Sequence, residues 1–251
     1  MESDRFAGQF PAEGILCTPC RMVPPPFERA VAYGEYQDEL RTMVHLLKYE
    51  RMRPVARPVG AMLARAIEQL ELVGEVAVVA VPLYPAKERQ RGYNQAVLLA
   101  DAALAVLKSG QKMKSGIGEG RKNIPQGLKP HSHSTPYGTA EAVPFRDALS
   151  LHAEHGALRR IRDTESQFVL TPRGRRVNLR GAFAANDARP VAGRTVLLVD
   201  DIYTTGATAR ECARVLRRAG AAKVFVATLA RAQAERVELW DADGSFSAVH
   251  T

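Results

Sequence analysis

Residues Val196 to Thr208, VLLVDDIYTTGAT, constrain this chain more than any other segment. Four apolar residues, Val196, Leu197, Leu198 and Val199, run into two carboxylates, Asp200 and Asp201, and then into Thr204, Thr205, Gly206 and Thr208. The apolar run is too short for a helix of its own, and the acidic pair that ends it marks it as a buried parallel strand. Ligands of open α/β sheets sit beyond the carboxyl ends of the strands, so the loop that follows lies where a ligand is expected. A helix is predicted from about Ala207 to Ala219. The hydroxyls, the glycine backbone and the first amides of that helix suit a phosphate, which the helix dipole favours by about 0.3–1 kcal/mol at an exposed site. Asp200 and Asp201 repel a phosphate. They suit either a sugar diol, whose hydroxyls donate to them, or a divalent metal held through oxygen. A Walker loop is excluded for want of Gly-Lys-Ser/Thr, and no dinucleotide-binding glycine fingerprint follows a predicted strand.

The segment closely resembles the phosphoribosyl pyrophosphate (PRPP) binding motif of type I phosphoribosyltransferases. Three further blocks, His45 to Tyr49 (HLLKY), Val81 to Ala96 (VPLYPAKERQRGYNQA) and Arg160 to Gln167 with Arg175 to Phe183 (RIRDTESQ, RRVNLRGAF), occur in the order found in the ComF family. ComF proteins are phosphoribosyltransferase-like and associated with bacterial competence and DNA uptake. The resemblance implies a type I phosphoribosyltransferase-like α/β fold, a mostly parallel sheet flanked by helices with a small helical hood. It implies that Thr204, Thr205, Gly206, Ala207 and Thr208 hold the 5′-phosphate, and that Asp200 and Asp201 hold the ribose diol. By the same resemblance Arg91 and Asn94 face the pyrophosphate, while Arg160 and Arg162 belong to a mobile catalytic loop and its flank.

Periodicity and composition divide the chain. Residues 1–30 read as a Pro-rich, irregular segment. In 31–75, Leu40, Met43, Val44 and Leu47, then Val59, Met62, Leu63, Ala66, Ile67 and Leu70, repeat at helical spacing. These two helices are assigned to the hood by the resemblance. Residues 76–234 form the expected core, opening with an apolar strand over Val76 to Val81 and closing with a strand over Lys223 to Leu229. The stretch 109–150 has no sustained period and reads as a flexible insertion, and 235–251 as a tail.

A formal net charge of +8 points to anionic partners without distinguishing a small phosphate ester from nucleic acid. Seven arginines fall between Arg159 and Arg180 against Asp163 and Glu165 alone, a bias that suits phosphate contacts. The expected ligand is PRPP. Mg²⁺ is expected to bridge pyrophosphate and ribose, held directly or indirectly by Asp200 and Asp201, as the phosphoribosyl group passes to an unknown acceptor. The alternative is a non-catalytic PRPP- or nucleotide-binding module acting in DNA uptake, with single-stranded DNA or a competence helicase as partner. Aromatic residues that stack bases are absent between Arg173 and Gly181, which weakens direct strand binding. Cys17 and Cys20 have the spacing of half a zinc site, and four-coordinate zinc needs two more ligands. ComF-like proteins often carry four cysteines there, so the pair reads as a remnant. With no apolar run of membrane-spanning length and no apolar leader in MESDRFAGQF, the expected location is the cytoplasm.

Overall fold

The computed structural model of the protein describes residues 18–116, 149–163, 179–232, 239–240 and 246–247. Its centre is a five-stranded, all-parallel sheet. The strands are β1 (Arg29–Glu35), β2 (Glu75–Ala80), β3 (Ser150–Ala153), β6 (Thr195–Tyr203) and β7 (Lys223–Arg231), in the order β1-β7-β6-β2-β3. The two short strands β4 (Leu158–Arg160) and β5 (Phe183–Ala185) pair antiparallel beside it. Leu239–Trp240 and Phe246–Ser247 form a small antiparallel pair in the tail.

The apolar run in β6 is buried because helices cover both faces of the sheet. Its side chains alternate: Leu197 and Val199 enter one core, Val196 and Leu198 the other. The first core holds α2 (Asp38–Tyr49), α3 (Ala56–Glu68) and α5 (Gln95–Gly116). The second holds α6 (Ala207–Arg218), with Cys212, Ala213 and Leu216 fully buried. Cys212 thus packs in the core. The phosphoribosyltransferase-like α/β fold expected from the sequence is the fold observed.

Several elements differ from the sequence reading. Residues 31–75, expected as a helical hood, contain both predicted helices but also most of β1, which extends the sheet next to β7. Helix α3 packs on the sheet beside α5, with Val59, Leu63 and Ile67 buried between them. The N-terminal segment carries a short helix, α1 (Thr18–Met22), tied to α6 by Arg210, which donates to the Val23 carbonyl at 2.9 Å. The insertion is entered by α5, which runs to Gly116, and left by β3 at Ser150.

Helices α3 and α5 meet at Gly60, where an added Cβ would lie 2.3 Å from the Cβ of Ala102. Contact that close leaves no room for a methyl group unless the helices separate. Gly60→Ala is expected to cost about 1–3 kcal/mol through overpacking, although alanine is the better helix former. Urea denaturation reads the cost directly, and an unchanged midpoint would show that the two helices part easily.

Candidate functional site

The strand β6 carries the acidic pair past the last apolar residue to the carboxyl edge of the sheet. Beyond it the chain turns through Tyr203, Thr204 and Thr205 into Gly206, the residue that begins α6. Gly206 has φ +72°, in the left-handed region, and its Cα approaches Tyr203 so closely that a Cβ would meet the ring carbon Cζ at 2.6 Å. The glycine thus lets the tyrosine fold over the start of the helix. The guanidinium of Arg231 covers that ring at 5.7 Å. Thr204 is exposed, whereas Thr205 holds its Oγ1 away from solvent with no hydrogen-bond partner. A buried hydroxyl without a partner is costly, and an anion on the α6 amides satisfies both at once.

Asp200, Ile202, Tyr203, Thr204, Gly206, Ala207, Thr208, Ala209 and Thr228 line a narrow cleft of about 10 Å³, room for about one water. A wider, shallow depression of about 380 Å³ lies on α2 among Asp38, Arg41, Thr42, His45, Leu46 and Glu50. The narrow cleft is the one at the carboxyl end of β6, where a carboxylate, the Thr204 and Thr208 hydroxyls and the start of α6 converge.

The two carboxylates have different surroundings. Asp200 is half-buried, and its Oδ1 accepts from the Asp201 amide at 2.9 Å. Burial, followed by the charge of Asp201, pushes its pKa up to about 7 against the pull of that amide, Lys48 and Arg160. Asp201 is buried, and its Oδ2 accepts from Lys48 Nζ at 2.9 Å and Gln95 Nε2 at 3.0 Å. Burial alone lowers the pKa of Lys48, but the charge of Asp201 and its hydrogen bond outweigh burial, and the net shift is upward.

The basic segment after β2 holds a short helix, α4 (Pro85–Arg91), begun by a proline and ended by Gly92 at φ +84°. Arg91 donates to Gln95 Oε1 and lies over the Tyr49 ring at 5.9 Å. Asn94, expected to face pyrophosphate, is committed to the fold. Its Nδ2 donates to the Val81 carbonyl and its Oδ1 caps the Ala96 amide, each at 2.9 Å. Tyr93 is buried and donates to the Leu47 carbonyl.

Arg160 lies in β4, opposite Phe183, with its guanidinium over that ring at 5.5 Å, and its charge is felt by Asp200. It is thus part of a paired strand at the flank of the expected loop. Arg162 is exposed just beyond, and Asp163 pairs with Lys87 of α4 at 3.3 Å. Arg173, Arg175 and Arg176 of the basic run lie outside the described residues, as does Cys17. Cys20 receives an Arg210 N–H at 3.1 Å, and among the described residues no three His, Cys, Asp or Glu side chains form a metal cluster. No helix among the described residues is long and apolar enough to cross a membrane.

Sequence reasoning left Gln95, Tyr203 and Thr228 without a role and singled out Lys48 only as part of the His45 to Tyr49 block. Lys48 follows buried Val44 by four residues, the spacing that puts it on the inward side of α2. A cation at such a position signals a buried anion to meet it.

Comparisons agree with this geometry. The family profile described as phosphoribosyl transferase domain matches residues 148–247. The DNA utilization protein YhgH of Escherichia coli (strain K12) is 29% identical over 223 residues, covering 86% of this chain and 78% of that one. Competence protein F of Haemophilus influenzae is 26% identical over 221 residues, covering 86% and 78%. Ribose-phosphate pyrophosphokinase of Pyrococcus furiosus shares 38% identity over 86 residues, 34% of this chain and 25% of that protein. With the quoted blocks, the all-parallel sheet and the acidic strand end leading into a threonine loop, these matches show a phosphoribosyltransferase-like chain similar to the DNA utilization and competence F proteins.

Proposed function

We propose that the protein binds PRPP with Mg²⁺ at the carboxyl end of β6 and transfers its phosphoribosyl group to an acceptor, releasing pyrophosphate. The observation that carries this reading is the start of α6 with an adjacent half-buried carboxylate in one cleft, next in the chain to the partnerless Thr205 hydroxyl. The threonine loop and the first amides of α6 hold the 5′-phosphate, and Asp200 accepts from the ribose hydroxyls. Transfer breaks the bond from the anomeric carbon to pyrophosphate, which leaves with the electron pair, and forms a bond from the acceptor's nucleophile to that carbon. Arg91, Arg160 and Arg162 supply positive charge toward the leaving group. One carboxylate beside phosphate oxygens is a donor set that Mg²⁺ accepts, so Asp200 fits the role of its protein-side anchor. When bound, Mg²⁺ neutralises charge on the pyrophosphate. On this reading the protein works in the cytoplasm.

Asp200→Asn tests it. The variant is expected to bind PRPP about 10- to 100-fold more weakly in calorimetry with Mg²⁺, the loss typical of a charge-assisted hydrogen bond. Its folding stability follows the opposite course. Because the folded pKa of Asp200 lies above its ordinary 3.8, the parent loses stability as pH rises from there to about 7 and levels off above. The asparagine variant lacks that fall. Parent-like PRPP binding by Asp200→Asn would remove the carboxylate from the site.

A second reading, a binding module without transfer, is favoured by the names of the relatives, DNA utilization protein and competence protein. PRPP binding without pyrophosphate release in the presence of candidate acceptors supports it. Single-stranded DNA binding that weakens steeply between about 50 and 200 mM salt would identify a multi-phosphate surface.

A further inference from the structure

Residues 47–53 are fastened to residues 90–93 by several bonds. Arg51 donates to the Gln90 carbonyl at 2.7 Å, Arg53 to the Gly92 carbonyl at 3.0 Å, and Tyr93 to the Leu47 carbonyl. Arg53 also covers the Tyr93 ring at 5.0 Å. The end of α2 and the α4–α5 junction therefore form one piece. Lys48 and Gln95 project from the two sides of this piece onto the same oxygen, Asp201 Oδ2.

The chain of contacts is polar in a fixed sense. Lys48 and Gln95 Nε2 donate to the carboxylate, and Gln95 Oε1 accepts from Arg91. A glutamine suits the central place because one end must donate to an anion while the other accepts from a cation. Glutamate there would set a carboxylate against Asp201, and lysine would set an ammonium against Arg91. The pleat of β6 also separates the acidic pair. Asp200 faces the cleft with Thr204, Gly206 and Thr208, while Asp201 points to the side of α2 and α5 and is only 5% exposed.

We propose that Asp201 is a positioning residue and not a ligand carboxylate. With Lys48 and Gln95 it anchors a polar chain that holds Arg91 in register with the carboxyl end of β6, leaving Asp200 to meet the sugar. This rests on the proposed PRPP site for its ligand. In that setting it fixes the spacing between the ribose and the arginine that faces the leaving group, which proximity catalysis requires.

Two measurements on the full chain test it. In the first, hydrogen exchange follows the amides of residues 86–91 in the parent and in Gln95→Leu, which cuts the chain. Exchange in α4 is expected to accelerate about tenfold while β6 amides keep their protection. In the second, calorimetry with PRPP and Mg²⁺ compares the parent, Gln95→Leu and the double variant Lys48→Met/Asp201→Asn. The double variant removes both charges together and keeps an acceptor for Gln95. Its affinity is expected to stay within about threefold of the parent, while Gln95→Leu loses about tenfold. Affinity in the double variant as poor as that of Asp200→Asn, with the thermal midpoint preserved, would overturn the proposal by placing Asp201 on the ligand. Unchanged α4 exchange in Gln95→Leu would overturn it from the other side. Should the parent not bind PRPP, the proposed function fails, and the exchange measurement still decides whether the chain positions Arg91.

Discussion

Lys48→Ala is expected to destabilise the protein by about 3–5 kcal/mol, the cost of removing one partner from a buried ion pair. The side chains of Lys48 and Asp201 are 15% and 7% exposed, so water cannot take over the role of the lost ammonium. Asp200 lies next in the chain and already repels a second negative charge. Without Lys48 the Asp201 carboxylate keeps Gln95 as its side-chain donor, and Asp200, already pushed up by burial, loses one of the two cations that offset it. Urea denaturation of Lys48→Ala beside Lys48→Met/Asp201→Asn separates the causes. The double variant should recover most of the loss, because replacing both members of a buried pair is often close to neutral. A loss below about 1 kcal/mol in the single variant would mark the pair as solvated, since exposed ion pairs contribute no more than that.

Gly206→Ala carries the second large effect, at the ligand loop itself. A residue with a side chain at φ +72° costs about 1–2 kcal/mol in the left-handed region. The new Cβ would also lie 2.2 Å from Tyr203 Oη, and overpacking adds about 1–3 kcal/mol. The ring can escape only by leaving the Arg231 guanidinium and uncovering the start of α6. We therefore expect a lower calorimetric melting temperature together with weaker PRPP binding, as the loop that aims Thr205 and the first α6 amides is displaced. Tyr203→Ala/Gly206→Ala is expected to regain the steric part and keep the backbone part. If the double variant regains nothing, the tyrosine contact is not what restrains the glycine.

What the sequence disclosed follows from how local each signal was. The β6 strand, its loop and α6 are contiguous, so an apolar run, a glycine and a helical period suffice to place them. Strand β1 was hidden because its partner is β7, at the far end of the chain, and its burial is partial along most of its length. Strand β4 is Leu-Arg-Arg, and two arginines disguise a strand whose role is to carry Arg160 opposite Phe183. Asn94 illustrates an ambiguity of residue type. An asparagine after a basic loop suits an anion, but one just ahead of a long apolar-periodic helix is also a cap, and the structure uses the cap. Adjacent carboxylates read as one group in a sequence, whereas a strand's two-residue period sends them to opposite faces. Only the folded chain shows that Lys48 waits on one of those faces.

The strand order has a consequence for synthesis. β2 can pair with β3 as soon as residues 150–153 emerge, but the central place of the sheet belongs to β6, with β7 beside it, and both come later in the chain. Until those strands arrive, β1 has no neighbour in the sheet and β2 lacks the partner on its other side. Such distant pairings slow folding and leave apolar edges open to aggregation while the ribosome is still at work. A nascent chain stalled before β6 would therefore hold β1 without a partner strand and β2 open along one edge, a natural client for chaperones and proteases.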